Sequence, residues 1–306
     1  MARRKRKHDE RPGPSGFLVV DKPTGWTSHD VVDAARGWLG TRRVGHLGTL
    51  DPLATGVLPL AVRSATKLVP FLERAAKCYV GTIRLGSETD TLDADGEIVR
   101  RYEGPLPDEA DVIEALTAFR GDIEQLPPMF SAVKQGGVPL HRLARDGKEV
   151  ERSSKQVRID RFELVRYEPP ELRIEVECSA GTYVRVLALD LGRALGCGAH
   201  LSSLRRTRNG PFAIERGVTP EALSREADRG ALEDHLVPPV NALELPVLRL
   251  QSSEAWRVTH GGEISLANLD LAPQARVAAL EPGGELLAVM EVTAGRRLKP
   301  LRVLRG

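Results

Sequence analysis

Between Gly45 and Pro59 the chain reads GHLGTLDPLATGVLP, with three glycines and two prolines set among apolar residues. Glycine opens backbone conformations that other residues avoid, and proline fixes φ and removes an amide donor. A segment punctuated in this way cannot run on as regular helix or strand. It is shaped into one particular loop, which the rest of the fold must hold. Asp51 stands in its middle with Pro52 behind it. Asp followed by Pro is a common helix start, with Asp as the cap and Pro in the first turn. Gly56 and Pro59 would end such a helix after barely a turn. The other reading is an acid held in a stiff loop with His46 nearby, as a nucleophile or general base would be. These residues alone leave both readings open.

The elements around the loop alternate without repeating. Phe17 to Val20 reads as a short strand that ends in the turn-forming run Asp21 to Gly25. A helix follows, with Ser28 as its cap, Val31, Val32, Ala35 and Leu39 on one face, and Gly40 at the C-cap. Val57 to Val62 is strand-like, Leu68, Phe71 and Leu72 mark a short helix, and Tyr79 to Leu85 is a further strand. Val112, Ile113, Leu116 and Phe119 give an amphipathic helix closed by Gly121. The period then drops to two at Val157 and Ile159, and again at Leu172, Ile174, Val176 and Cys178, as in strands with one buried face. With no βαβ recurrence and no internal repeat, the pattern predicts an α+β fold with a mixed sheet. Pro238, Pro239 and Pro246 bracket a predicted boundary loop. Beyond it, Val277 to Leu280 and Leu286 to Val292 are short apolar stretches separated by Gly-rich turns. They predict a small, mostly β unit over residues 246–306, after a larger one over 16–240.

Composition narrows the function. With 306 residues, 41% of them apolar, and 44 basic against 42 acidic side chains, the chain is globular and long enough for about two domains. Six basic residues against two acidic ones in the first 11, with Pro12 and Pro14 following, read as a disordered basic arm over residues 1–15. The remaining chain is slightly acidic, so a polyanion would have to be held by local patches. Lys134 to Arg161, with eight basic and four acidic residues, is one such patch, and Arg205, Arg206 and Arg208 form another. Glu88 to Glu114 carries ten acids against two arginines, and it is not expected to face phosphates.

No apolar run approaches the roughly 18 residues of a membrane helix, and the basic N-terminus leads into no signal core, which predicts a cytoplasmic protein with no membrane partner. Cys78, Cys178 and Cys197 form no C-x-x-C pair and are expected to be reduced and inert. The chain lacks the phosphate-loop, dinucleotide-binding, H-E-x-x-H and G-x-S-x-G signatures. Its seven histidines show no metal-ligand spacing, so neither a metal nor a nucleotide cofactor is expected.

The loop segment closely resembles the catalytic motif of the TruB family, the tRNA pseudouridine-55 synthases. Six further segments resemble family motifs in the same order. They are GFLVVDKPTGWTS from Gly16, Lys77-Cys78-Tyr79, GSETDTLDADG from Gly86, LPPMFSAVK from Leu126, CSAGTYVR from Cys178, and LGCGAHLSSLRR from Leu195. Together they cover about residues 16–210.

The resemblance implies a pseudouridine-synthase fold with a mostly antiparallel central sheet, flanking helices and a small C-terminal PUA-like RNA-binding domain. It also implies a cofactor-free isomerase acting on uridine 55 of the tRNA T loop. Such an enzyme breaks the glycosidic bond, turns the base and rejoins it through C5. By similarity Asp51 is the catalytic carboxylate, adding either to the base or to the sugar. Arg185 would be the partner that keeps Asp51 ionised. Tyr79 would stack on the base and assist proton transfer. His46 would fill the place of the flipped base, while Lys22 would lend positive charge near the acid, and Tyr183 would contact the substrate.

A flexible insertion over about residues 125–155, with Lys134, His141, Arg142 and Arg145, would close over the T arm, and Arg205 and Arg206 would add RNA contacts. Phe130 stands where many relatives have Tyr. The expected partner is the tRNA T arm alone, bound by a monomer with no obligatory protein partner. The rival expectations are a tRNA-folding chaperone of the same fold and a guide-RNA-dependent synthase.

Overall fold

The computed structural model describes residues 13–131, 133–140, 143, 150–265 and 271–304. The basic arm up to residue 12 and the expected RNA contacts His141, Arg142 and Arg145 lie outside the described residues.

The first half of the chain runs β1 (Gly16–Lys22), α1 (Ser28–Leu39), β2 (Val44–His46), β3 (Thr55–Val62), α2 (Val69–Leu72) and β4 (Lys77–Leu85). A hairpin of β5 (Ser87–Thr89) and β6 (Ile98–Arg101), helix α3 (Glu109–Ala118), β7 (Gly121–Gln125) and the short strands β8 (Lys134–Gln135) and β9 (Val138–Pro139) follow. The second half comprises β10 (Lys155–Glu168), β11 (Glu171–Cys178), α4 (Val184–Ala194), β12 (Ala199–Asn209), β13 (Phe212–Ala213), α5 (Pro220–Arg229), β14 (Leu236–Val237) and α6 (Pro239–Leu243). It closes with β15 (Val247–Arg249), α7 (Ser252–Thr259), β16 (Ile264–Ser265), β17 (Arg276–Leu280), β18 (Leu286–Val292) and β19 (Arg297–Val303).

The main sheet has the order β14-β1-β3-β12-β4-β11-β10-β7, and every neighbouring pair on that path is antiparallel except β3 and β12. This is the mixed, mostly antiparallel α+β architecture that the pattern and the resemblance anticipate. β1 and β3 are apolar on both faces because both faces are covered. Leu18, Val20, Leu58 and Leu60 join the larger core beneath α1, α3, α4 and α5. Phe17, Val19, Val57 and Ala61 turn the other way and pack with Ala278, Leu280, Leu286 and Val289 of the second sheet. That sheet, β15-β17-β18-β19-β16, is the small β-rich unit expected at the C-terminal end.

Four local expectations are corrected. Thr27, not Ser28, caps α1, in a reciprocal box with Asp30, and Ser28 turns inward. Gly40 does end that helix in the left-handed conformation, as expected. In α3, Val112 and Leu116 are buried but Ile113 is 49% exposed, because three turns of helix on a sheet bury only a narrow stripe. Gly121 starts β7 and does not cap α3; Phe119 holds the capping position. The prolines at 238, 239 and 246 do not bracket a loose loop: Pro239 opens α6, whose Ala242 and Leu243 are buried in the core shared by the two sheets.

The parallel seam between β3 and β12 pairs Arg206 with Gly56. Gly56 has φ +96°, and a Cβ there would collide with the backbone of Arg206. Gly56→Ala is therefore expected to cost about 3 kcal/mol, combining a left-handed φ with a backbone clash in the middle of the sheet. Urea denaturation measures this, and an unchanged midpoint would mean that the seam does not need its close approach.

Candidate active site

The turn from Leu47 to Pro52 has its carbonyls satisfied one after another by groups from other elements. Asn209 Nδ2 donates to Leu47 O at 2.6 Å, and Arg206 donates to Gly48 O at 3.1 Å and to Thr49 O at 3.4 Å. Ser28 Oγ both donates to Leu50 O at 2.9 Å and accepts from Leu50 N at 2.8 Å. Ala54 N closes on Asp51 O at 3.1 Å, and Pro52 O receives Gly25 N at 2.9 Å. Lys22 Nζ adds a bond to Pro52 O at 3.4 Å and holds Pro23 O at 2.9 Å and Trp26 O at 2.6 Å. Buried backbone needs such partners. Here they arrive in consecutive order, fixing the loop rigidly and leaving Asp51 in a turn that enters β3 directly. The helix-cap reading of Asp51 is thereby excluded.

The positive charge expected of Lys22 near the acid is present, since Lys22 and Asp51 each favour the other's charged form, but the RNA contact expected of Arg206 is corrected by this arrangement. Lys22 and Arg206 have no exposed surface at all; both lie inside the cradle under the loop, where a phosphate cannot reach. Burial lowers the Lys22 ammonium to about 8, with Asp51 pulling it back up and Arg206 adding to the lowering. Arg205 precedes Arg206 in β12 and, by strand alternation, points to the opposite face. There it makes a two-armed pair with Asp21 at 3.0 and 2.7 Å, so its charge is already matched.

Arg185, on the first turn of α4, is 5% exposed and is aimed by two carbonyls: Nη1 donates to Thr91 O and Nη2 to Phe130 O, both at 2.9 Å. Its Nε edge lies 3.0 Å from Asp51 Oδ2. Phe130 contributes its backbone, so the hydroxyl missing relative to Tyr takes no part in this contact. Behind Arg185, Nη1 also lies 3.4 Å from Asp93 Oδ2. Asp93 is 4% exposed, and its Oδ1 accepts from Thr91 Oγ1 at 2.6 Å and from Asp95 N at 3.2 Å. It comes from the acidic stretch that was not expected to face phosphates, and its only sequence signal was membership of the motif GSETDTLDADG. Burial pushes the Asp51 carboxyl above the usual carboxylate range, while Arg185 draws it back and Asp93 adds to the rise. The Asp51 side chain is nonetheless 40% exposed, because one side opens on a cavity.

That cavity has a volume of about 700 Å³ and is lined by Asp51, Arg185, Tyr79, Tyr183 and His46, with Lys77, Arg74, Lys155 and Ser131 along its walls. Small-ligand sites fall in this size range. Tyr79 is buried, and burial raises its phenol, keeping it protonated. Tyr183 is half-buried, with Gln125 Oε1 accepting from its backbone N at 2.9 Å. His46 is held neutral by burial, reinforced by Arg206, and its Nδ1 is buried with no hydrogen-bond partner. Five of the expected site residues therefore meet around one cavity. Lys134 lies in the β8–β9 hairpin by backbone position. Among the described residues no group of His, Cys, Asp and Glu is arranged to hold a metal ion, and no helix is long and apolar enough to cross a membrane.

In fold and in the arrangement of its cavity the chain is a pseudouridylate synthase. It superposes on a chain of the crystal structure of a Cbf5-Nop10-Gar1 complex with a TM-score of 0.72 and 29% identity, over 94% of this chain and 84% of that one. More narrowly, the family model described as TruB family pseudouridylate synthase (N terminal domain) matches residues 36–184, and the tRNA pseudouridylate synthase B C-terminal domain matches residues 185–244. The chain belongs to the TruB family. It is 43% identical to the tRNA pseudouridine synthase B of Pseudomonas aeruginosa (strain UCBPP-PA14), over 95% of this chain and 96% of that protein. It is 48% identical to the protein of the same name from Aromatoleum aromaticum (strain DSM 19018 / LMG 30748 / EbN1), over 80% of each.

Proposed function

We propose that this chain, acting alone in the cytoplasm, converts uridine 55 in the T loop of tRNA to pseudouridine. The observation that carries the reading is the Asp51–Arg185 pair, a carboxylate 3.0 Å from a fixed guanidinium at the wall of a cavity. A binding protein has no use for a desolvated acid set against a fixed guanidinium in this way, whereas glycosidic bond cleavage does.

The reaction is an isomerisation with no net gain or loss of atoms. The N1–C1′ bond breaks, C5 joins C1′, the proton on C5 leaves, and N1 gains one. In both routes open to the acid, addition to the base or to C1′, Asp51 must be ionised, and Arg185 favours that form. Tyr79 packs against the base. The target base has to leave its stack at a cost of a few kcal/mol, and the neutral ring of His46 suits the vacated place. The main sheet with its helices, residues 16–240, carries this chemistry, and the second sheet, residues 246–306, serves as an RNA-binding module. The segment of about 125–155 closes over the T arm.

The test is pseudouridine formation on an unmodified T-arm stem-loop by the purified chain in the presence of a chelator. Conversion at position 55 with multiple turnover is expected. Binding without conversion would replace this reading with a chaperone or a guide-dependent enzyme.

A further inference from the structure

Lys77 opens β4, two residues before Tyr79 and so on the same face of the strand. It is 8% exposed and lines the cavity. The other buried cations around the site are all engaged: Lys22 by carbonyls, Arg206 by carbonyls, and Arg185 by carbonyls and two carboxylates. Among the described residues the Lys77 ammonium has neither a hydrogen bond nor an ion pair. Its stem lies against the catalytic loop, where a Cβ on Gly48 would sit 3.4 Å from Lys77 Cε. Cys178 is no counter-ion, since burial raises its thiol to about 11 and keeps it protonated. Arg206 sits close enough to repel Lys77, and Glu73, which lines the same cavity, attracts it without forming an ion pair with it. An unpaired buried cation beside a second cation costs free energy, and such costs are retained where an anion is to be bound.

We infer that Lys77 holds a phosphodiester of the RNA backbone next to the flipped nucleotide. The inference rests on the uridine-55 reading above. Phosphates are the anions that RNA brings, and the base itself is taken by Tyr79 and Asp51, on the same side of the cavity. Arg74 and Lys155 are exposed and line the same cavity, adding two cations against the one acid, Glu73, exposed beside them. Lys77 thus fixes the sugar-phosphate while the base turns, a positioning task distinct from the chemistry at Asp51.

The experiment is a double-substitution cycle. Wild type and Lys77→Met are each assayed in single turnover and for binding on stem-loops carrying a neutral methylphosphonate at one of the two phosphates flanking position 55. Wild type is expected to lose on the order of tenfold in affinity with one of the neutral analogues, as for a lost charge-assisted bond. Lys77→Met should lose about as much with the natural stem-loop and no more with that analogue, and its binding should show a salt slope shallower by roughly 0.7. Lys77→Arg should restore most of the affinity. Losses that multiply at both positions, or an unchanged salt slope, overturn the inference and leave Lys77 a structural residue. Should Lys77→Met melt below the assay temperature, Lys77→Gln enters the same cycle. Failure of the uridine-55 reading itself is separate, because wild type would then form no product on the natural stem-loop.

Discussion

Asp51→Asn is expected to abolish pseudouridine formation, by at least about 10⁴-fold in single turnover, as removal of a covalent or ionised catalytic group does. Binding of the stem-loop should stay within about threefold, since phosphate contacts dominate RNA affinity. The substitution is nearly isosteric, and Arg185 keeps its second carboxylate, Asp93, at 3.4 Å, so no buried cation is stranded. Stability supplies an independent check with a definite sign. The Asp51 carboxyl is raised in the folded protein, chiefly by burial, so the native state holds its proton more tightly than the unfolded chain does. That contribution is fully present below the ordinary Asp range and is lost as pH rises through the raised value. Asn has no such loss. The variant should therefore melt at or above the wild-type temperature at pH 7 to 8, with the gap closing as pH falls below about 4. Thermal melts at several pH values measure this. A variant that is inactive and also markedly less stable at neutral pH would mean that Asp51 mainly holds the loop together. A variant that still isomerises uridine would remove the acid from the mechanism.

How far the sequence reveals this site differs from residue to residue, for physical reasons. The sequence left Asp51 between a helix cap, which Asp followed by Pro favours, and a stiff loop, which Gly56 and Pro59 favour, and the structure has the loop. Strand faces were legible where alternation was clean, as in β11, whose Leu172, Ile174, Val176 and Cys178 are all buried. The failures fall on charged residues. Arg206 read as part of a phosphate-binding patch because long cations usually lie in solvent. Whether one is buried depends on what later packs over its strand, and local pattern does not carry that. One clue was present: Arg206 shares the period of the buried Leu204, while Arg205 falls on the opposite face. A bulge between Arg206 and Arg208 then shifts the register, bringing Asn209 under the loop as well. Ser28 shows the same limit at short range. Its type suited a helix cap, but Thr27 one residue earlier had Asp30 at the right spacing for a reciprocal box, which freed Ser28 to grip Leu50. Asp93 was hidden by averaging, since a stretch with ten acids says little about the one that turns inward.

Arg206 bears the heaviest structural duty among these corrected residues, and its removal should be felt in both stability and rate. The side chain has no exposed surface, and its three nitrogens donate to Val57 O at 2.7 Å, Thr49 O at 3.4 Å and Gly48 O at 3.1 Å. Two of these carbonyls belong to the loop that carries Asp51, and the third belongs to β3. Arg206→Met keeps most of the stem volume and removes the donors. It strands three buried carbonyls at about 1–3 kcal/mol each, partly offset because a buried cation no longer has to be desolvated, for a net loss of roughly 3–5 kcal/mol. A backbone freed at Gly48 and Thr49 lets Asp51 drift from its position beside Arg185, and a shift of about 1 Å at a reacting group costs on the order of 10²-fold in rate. Arg206→Lys restores the charge but not the fork, since one ammonium cannot span carbonyls on two elements, so it should recover little of either loss. Urea denaturation read beside single-turnover rates, taken well below each variant's melting temperature, separates the two effects. If Arg206→Met weakens RNA binding and its salt dependence while stability and the rate of the bound complex hold, Arg206 contacts RNA after all. If stability and the bound rate fall together with the salt dependence unchanged, the second strand of the parallel seam is what holds the catalytic loop.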